Sequence, residues 1–338
     1  MRFCPRGLFV LLLASSASAA SFDCAKAFTV QEKAICADAK LSKLDEDTAA
    51  AYRGLLAQLT PAAVSEVRQD QREWLVWLRR TCPEQNGSGR TIGICLTNKY
   101  SARLYQLRNG FQRAGGTTFF PRLKVLTAPN KEERLPGAFY PAFGVGWFSW
   151  PEIDRPTPQQ KAWNGAVRAQ VDLDTADVAD SDVTIDYRIR AANDRFLSVD
   201  LVNGMYNYGA LHPNEVTGSF QWWLELGRAL KAADVFAPGS GWEALLGQRS
   251  YQKLASGEHA HDLFDETTAR RAAADSVRQE SNWSLDARKF EVDFPEYSVA
   301  PRAAGPLSVE FGWEELRPYL ARGFDPAQLP QPLPPPAR

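Results

Sequence analysis

The chain has 338 residues, of which 44% are hydrophobic and 23% are charged. This composition excludes wholesale disorder, and the length predicts about two domains. Lys and Arg number 39 against 40 Asp and Glu. The balance argues against a nucleic-acid-binding protein, which would carry an excess of basic residues.

The N-terminus has the pattern of a secretory signal peptide. Arg2 and Arg6 precede an apolar run at residues 8–13, and small residues with an A-x-A ending follow at 17–19. Signal peptidases accept this ending, whereas so short an apolar run cannot cross a bilayer as a helix. We therefore predict a signal peptide at residues 1–19 and a periplasmic or secreted mature protein without a membrane span.

Four cysteines remain after that cleavage, and an even number in an exported chain indicates disulfides. Three pairings are possible, and sequence alone does not choose among them. We favour Cys24 with Cys36 and Cys82 with Cys95, because each pair flanks a short segment that contains a turn.

Residues 20–110 are predicted to form a small helical bundle. Thr29 and Glu32 have the spacing of a capping box, and Pro61 after Thr60 is typical of a helix start. Apolar residues then recur at intervals of three and four. So small a bundle buries little apolar surface, and each disulfide would contribute ~2–4 kcal/mol.

The rest of the chain predicts a mixed α/β layer, which makes the whole chain α+β. We expect a Gly-containing linker at 111–116, a domain at 117–322 with a hairpin turn at Asn193-Asp194, and a Pro-rich disordered tail at 323–338. Segments 222–230 and 243–254 look helical.

The two parts differ in the sign of their charge. Residues 20–110 carry 13 Lys and Arg against 10 Asp and Glu, or +3, whereas residues 111–338 carry 24 against 30, or −6. The acidic excess includes a run in which Asp172, Asp174, Asp177, Asp180 and Asp182 lie close together. An acidic surface attracts basic partners, although such a run is also typical of a solvated loop.

No motif predicts catalysis. His259 and His261 could hold a metal only on a strand, and their surroundings look helical or solvated. His212 lies in a Gly/Pro turn, a common place for functional residues, but no nucleophile motif accompanies it. We predict no catalytic residue, no cofactor and no metal. Trp222 and Trp223 are adjacent, so one of them is expected to be partly exposed and able to bind protein or sugar.

The N-terminal part resembles the lysozyme inhibitor LprI-like N-terminal domain family from about residue 22 to 107. The matching residues are Phe22-Asp23-Cys24, Thr29, Glu32, Ile35-Cys36, Leu41, Leu44-Asp45, Tyr52, Gln71-Arg72, Trp74-Leu75, Cys82, Cys95-Leu96, Tyr100 and Arg103. One departure is Leu78, where the family usually has an arginine.

The second part resembles the extracellular domain of RsiV, a lysozyme-sensing anti-sigma factor, from about residue 117 to 322. The matching stretches are residues 183–187, 197–199, 208–213, 234–236 and 290–305. The departures are an inserted Leu211 and Arg302 in place of an aromatic residue. The resemblance implies a partner-binding surface, for which we select Tyr208, His212, Tyr297, Pro301 and Arg302.

Together these patterns predict a non-catalytic envelope protein that binds and inhibits a basic lysozyme-type muramidase. The loop at residues 297–305 would enter the enzyme's cleft, with Arg302 paired to its acidic residues. The alternative is a module that binds peptidoglycan through exposed tryptophans. A hydrolase is the third reading, and it would need metal ligands.

Overall fold

The computed structural model describes residues 20–83, 91–130, 142–171 and 178–334. The predicted signal peptide and the first three aspartates of the acidic run, Asp172, Asp174 and Asp177, lie outside these residues. No helix within the described ranges is long and apolar enough to cross a membrane.

The N-terminal part is helical, as predicted. Its helices are α1 (Val30–Ala37), α2 (Ala39–Leu56), α3 (Pro61–Thr81) and α4 (Ile92–Asn109). Thr29 and Glu32 form the expected capping box, and Thr60 caps α3 with Pro61 in its first turn. These caps satisfy amide groups that would otherwise lack partners at the helix starts.

Both disulfides join the residues that the sequence favoured, Cys24 with Cys36 and Cys82 with Cys95. The first ties the N-terminal segment to α1, and the second ties the end of α3 to the start of α4. Between them lies an apolar core in which Trp74 packs edge-on against Tyr100 with ring centres 5.1 Å apart. The cross-links hold the same end of the bundle that this core fills.

A long sheet follows, with its strands paired in chain order. They are β1 (Gln112–Ala114), β2 (Thr117–Pro129), β3 (Phe143–Ile153), β4 (Ser181–Ala192), β5 (Phe196–Asn207), β6 (Asn214–Trp223) and β7 (Arg228–Ala229). Helix α5 (Pro158–Ala169) connects β3 to β4, which pair in parallel, whereas the other neighbours are antiparallel. The predicted turn at Asn193-Asp194 joins β4 and β5.

A second, smaller sheet packs with short helices around its own apolar core. Its elements are α6 (Ala232–Val235), α7 (Trp242–Ser256), α8 (Glu266–Ser276), β8 (Trp283–Leu285), β9 (Lys289–Phe294), β10 (Leu307–Gly312) and α9 (Trp313–Leu316). Side chains alternate along β10, with Leu307, Val309 and Phe311 buried. The observed architecture is therefore α+β, as predicted.

Two expectations about segments that precede the C-terminal tail were wrong. Residues 112–114 of the expected linker are β1, because Gly115 and Gly116 form a tight turn with positive φ that folds β1 onto β2. Segment 222–230 ends β6, turns and forms β7, so its apolar residues serve a sheet and not a helix.

The tail differs from the expectation as far as residue 334. Leu329 is buried, the Leu333 amide donates to the Arg190 carbonyl oxygen, and Pro332 forms a bridge with Ala191. Proline-rich sequence favours an extended chain, and here that chain lies along β4 because its few apolar side chains fill the adjoining cores.

The helical part and the long sheet share a polar and partly buried interface. Arg122 on β2 donates to Asp70 (2.9 Å) and Glu66 (2.8 Å) on α3, and its Nη1 lies 2.9 Å from Glu152 on β3. The indole of Trp77 donates to the Leu126 carbonyl oxygen at 2.9 Å. The two parts are thus joined by directional contacts.

Candidate functional site

The part of the chain that follows the helical bundle, residues 111–338, is called the β domain here. Two loops meet at one end of it and contain all five predicted binding residues. One is the turn between β5 and β6 (residues 208–213), and the other follows β9 (residues 295–306). We call them the loop pair. His212 Nε2 lies 3.5 Å from the Tyr297 hydroxyl, although 84 residues separate them in the chain.

Tyr297 is presented to solvent by an unusual backbone conformation. Its φ is +63°, which costs a non-glycine residue of order 1 kcal/mol or more, and 51% of the residue is exposed. The neighbouring Ser298 hydroxyl donates to the Pro295 carbonyl oxygen at 2.6 Å, and Val299 and Ala300 are buried. The loop is therefore anchored on both sides of an exposed tyrosine.

Pro301 is exposed and begins a short 3-10 turn at Arg302–Ala304. The Arg302 side chain is 28% exposed and already has an acidic partner within the loop, because its Nε lies 3.2 Å from one carboxylate oxygen of Glu296 and 3.3 Å from the other. This pair closes the base of the loop. A partner's acidic residue that bound Arg302 would therefore have to compete with Glu296 for its guanidinium or use its terminal nitrogens.

Tyr208 has a structural position. Only 7% of it is exposed, and its hydroxyl lies 2.6 Å from Asp182 Oδ1 and 3.1 Å from the Phe143 carbonyl oxygen. Burial, together with the Asp182 carboxylate, raises the pKa of Tyr208 well above its usual value. Tyr208 thus fixes the base of the β5–β6 turn, and direct contact with a partner would require it to move.

Exposed apolar residues surround that turn, and none of them was among the predicted binding residues. Leu211 is fully exposed, Val216 is 48% exposed, and Met205 and Tyr206 are each 37% exposed. Met205 and Val216 lie on one face of the β5–β6 hairpin and Tyr206 on the other, with Leu211 in the turn between the strands. Exposed apolar groups such as these are frequent at interaction sites. The inserted Leu211 was the signal available in the sequence.

The other predicted features contribute less. Trp222 is buried, and Trp223 is half-buried with its ring 5.8 Å from Phe196 and 6.3 Å from Phe324. Neither indole forms an open platform for sugar. His259 Nδ1 lies 3.2 Å from Asp262, in a 3-10 turn. Within the described ranges, no group of three or more His, Cys, Asp or Glu is placed to hold a metal ion.

Comparison with known proteins finds a similarity for the helical part. Residues 24–107 match the family model described as lysozyme inhibitor LprI. Lipoprotein LprI of Mycobacterium bovis and of Mycobacterium tuberculosis are each 31% identical to the chain over 123 residues. That alignment covers 36% of this chain and 56% of each relative, so the chain spans only about half of their length.

Among solved structures, two DUF3298 family proteins are similar to the chain. The one from Bacteroides fragilis has a TM-score of 0.46 and 14% identity, and it aligns over 62% of this chain and 96% of its own. The one from Pseudomonas aeruginosa has a TM-score of 0.44 and 13% identity, over 63% and 96%.

Proposed function

We propose that this chain is an exported, non-catalytic protein of the cell envelope that binds lysozyme-type muramidases and inhibits them. The observation that carries the proposal is the match of residues 24–107 to the lysozyme inhibitor family model. The residues matched include both disulfides, the caps of α1 and α3, and the core around Trp74. We thereby extend the inhibitor role in that family's description to a chain that also has a β domain.

The shape of the loop pair supports binding to a cleft. Tyr297, Leu211 and Pro301 are exposed, whereas the flanking Val299, Ala300 and Tyr208 hold the loops to the domain. A protruding surface that is already ordered loses little conformational entropy when it binds. Exposed aromatic and apolar side chains on such a surface are the groups that fill a partner's pocket.

The charge of the β domain supports a basic partner. Residues 111–338 carry six more acidic than basic side chains. Complementary charge accelerates encounter, and salt screens the effect over about 10 Å at 0.1 M. A basic muramidase is therefore expected to associate faster at low ionic strength.

The test is inhibition of cell-wall lysis by the purified mature chain, together with co-elution with lysozyme at low and moderate salt. We expect inhibition and a complex at micromolar concentration, with association slower at the higher salt. Absence of both inhibition and complex at that concentration contradicts the proposal.

Variants then locate the surface. The double substitution Leu211→Ser and Tyr297→Ala should weaken binding at least about tenfold, since interface anchors typically contribute more than 1 kcal/mol each. Leu226→Ser is the matched control, because Leu226 is 51% exposed in the turn at the opposite end of β6. If the double variant binds like the unchanged chain, the loop pair is not the binding surface, and the helical part becomes the next region to test.

A further inference from the structure

A buried carboxylate lies at the start of the helical part. Asp45, on α2, is only 5% exposed and borders the core that contains Trp74 and Tyr100. The Ser21 amide donates to Asp45 Oδ2 at 2.7 Å. Asp45 also accepts a hydrogen bond from the Tyr100 hydroxyl, whose pKa is raised chiefly by burial and further by this carboxylate.

Asp45 lacks a positively charged partner among the described residues. No ion pair in the described part of the chain includes it, although the nearby acidic Glu46 and Asp47 both pair with Lys43. An ionised carboxylate inside a protein is normally compensated by a cation as well as by neutral donors. One positive group beside Asp45 would therefore compensate the charge of this carboxylate.

The chain itself brings one nitrogen close to this carboxylate. Ala20 is 7% exposed and belongs to the same apolar core, and its nitrogen precedes that of Ser21 by one residue. Backbone bond lengths limit the separation of two successive nitrogens to about 3.6 Å. The Ala20 nitrogen consequently lies within about 6.3 Å of Asp45 Oδ2, close to the range over which a charge shifts the pKa of a neighbouring group.

We infer that Asp45 is the binding site for the N-terminal ammonium of the mature chain, created when the peptide bond between residues 19 and 20 is cleaved. The inference depends on the export that the proposed function includes. Hydrolysis by a signal peptidase adds one water across that bond and leaves a carboxylate on residue 19 and an amine on Ala20. The amine is protonated at neutral pH, since a free α-amino group has a pKa of about 8. Processing thereby supplies the cation that Asp45 lacks.

A consequence is that cleavage of the signal peptide also completes the contacts of the helical part, because it creates the ammonium that Asp45 binds. An uncleaved chain has a neutral amide at Ala20, and Asp45 then keeps only neutral donors. The Cys24–Cys36 disulfide holds the segment after Ser21 against α1, so the new terminus remains next to its site. The mature chain should be the more stable form.

The experiment begins with the exported, purified protein. N-terminal sequencing should give Ala20 as the first residue, and any other first residue overturns the inference. In the folded chain, acylation of the α-amine by a limiting amount of an acetyl ester at pH 7 should be at least about tenfold slower than in the chain unfolded in urea. Equal acylation rates also overturn it. Neither measurement involves lysozyme, so a failure here is distinguishable from a failure of the proposed function.

A coupled pair of changes tests the contact with Asp45 itself. Transamination with an added aldehyde such as glyoxylate transfers the α-amino group of Ala20 to the aldehyde, leaves a ketone on residue 20 and removes the charge without lengthening the chain. In the unchanged protein it should lower the equilibrium constant for folding about tenfold or more, and in Asp45→Asn it should change that constant less than twofold. An equal effect in both proteins assigns the ammonium to some other partner and overturns the inference.

Discussion

Asp293 on β9 is a carboxyl group whose surroundings disfavour its charge. The Arg190 guanidinium, whose charge opposes the rise in the pKa of Asp293, already donates to Asp200 at 2.7 Å and to Glu291 at 2.9 Å. Asp293 is the third carboxyl group beside it, and burial, followed by repulsion from Glu291, raises the pKa of Asp293 to about 7. Around neutral pH this side chain is therefore partly protonated in the folded protein.

The sign of the pH dependence follows from that shift. Between about pH 4 and pH 7 the folded chain holds a proton on Asp293 that the unfolded chain releases, so stability falls as the pH rises through this range. We predict that Asp293→Asn removes this dependence. From pH 5 to pH 8 the free energy of unfolding of the unchanged protein should fall by about 2 kcal/mol more than that of the variant. Urea titrations at both pH values measure it.

The control for this prediction is Asp194→Asn, because Asp194 is exposed in the β4–β5 turn. It should follow the unchanged protein at both pH values. If Asp293→Asn shows the same pH dependence as the control, Asp293 is ionised in the folded state throughout the range.

At the candidate site, sequence patterns identified some of the residues but not their contacts. Tyr297 and His212 were selected from the sequence, but their contact across the loop pair depends on the two sheets meeting at that end of the domain. The pairing of Arg302 with Glu296 was missed, since it arises from an irregular loop that no periodicity describes. Sequence thus located the loops, whereas the roles of individual side chains required their three-dimensional neighbours.

At the scale of elements, the helices and the later strands could be predicted because their signals are local. The capping box at Thr29 and the alternation along β10 each depend on a few consecutive residues. Segment 222–230 could not be predicted in this way. Its apolar residues also fit helical spacing. The segment is nevertheless part of the sheet, because Trp222 and Trp223 pair with strands β5 and β7.

In the C-terminal tail, as in segment 222–230, packing against the rest of the domain produces a structure that composition does not predict. Residues 326–334 are rich in proline, yet Leu329 is only 4% exposed and joins the core of the smaller sheet. We predict that Leu329→Ala lowers the free energy of unfolding by about 2–4 kcal/mol, as expected for a leucine removed from a packed core. Chemical denaturation followed by tryptophan fluorescence is the measurement.

Leu226→Ala provides the comparison for the tail, because this leucine is half exposed in the β6–β7 turn. It should change stability by less than about 0.5 kcal/mol. A loss of that small size for Leu329→Ala would mean that the tail contributes nothing to the domain and that composition was the better guide.

At the scale of the whole molecule, Arg122 links the helical part to the sheet and so affects whether the two parts unfold together. Its side chain is 11% exposed and faces Asp70, Glu66 and Glu152. Burial and the proximity of Glu152 raise the pKa of Glu66 to about 7, despite the opposing effect of Arg122. The three carboxyl groups would repel one another across the interface if the guanidinium were absent.

We therefore predict that Arg122→Met costs about 3–5 kcal/mol, the range measured when one partner of a buried ion pair is removed. Because the loss falls on the interface, unfolding should also separate into two steps, with far-UV circular dichroism and tryptophan fluorescence no longer changing together.

Arg168→Met, an exposed position on α5, is the control and should leave a single transition near the original midpoint. A single, unshifted transition in Arg122→Met would mean that Trp77 and the other contacts between α3 and β2 suffice to couple the two parts. A loss of stability between pH 6 and pH 8 that is larger in this variant than in the unchanged protein would identify carboxylate repulsion as the cause, since protonation of Glu66 relieves it.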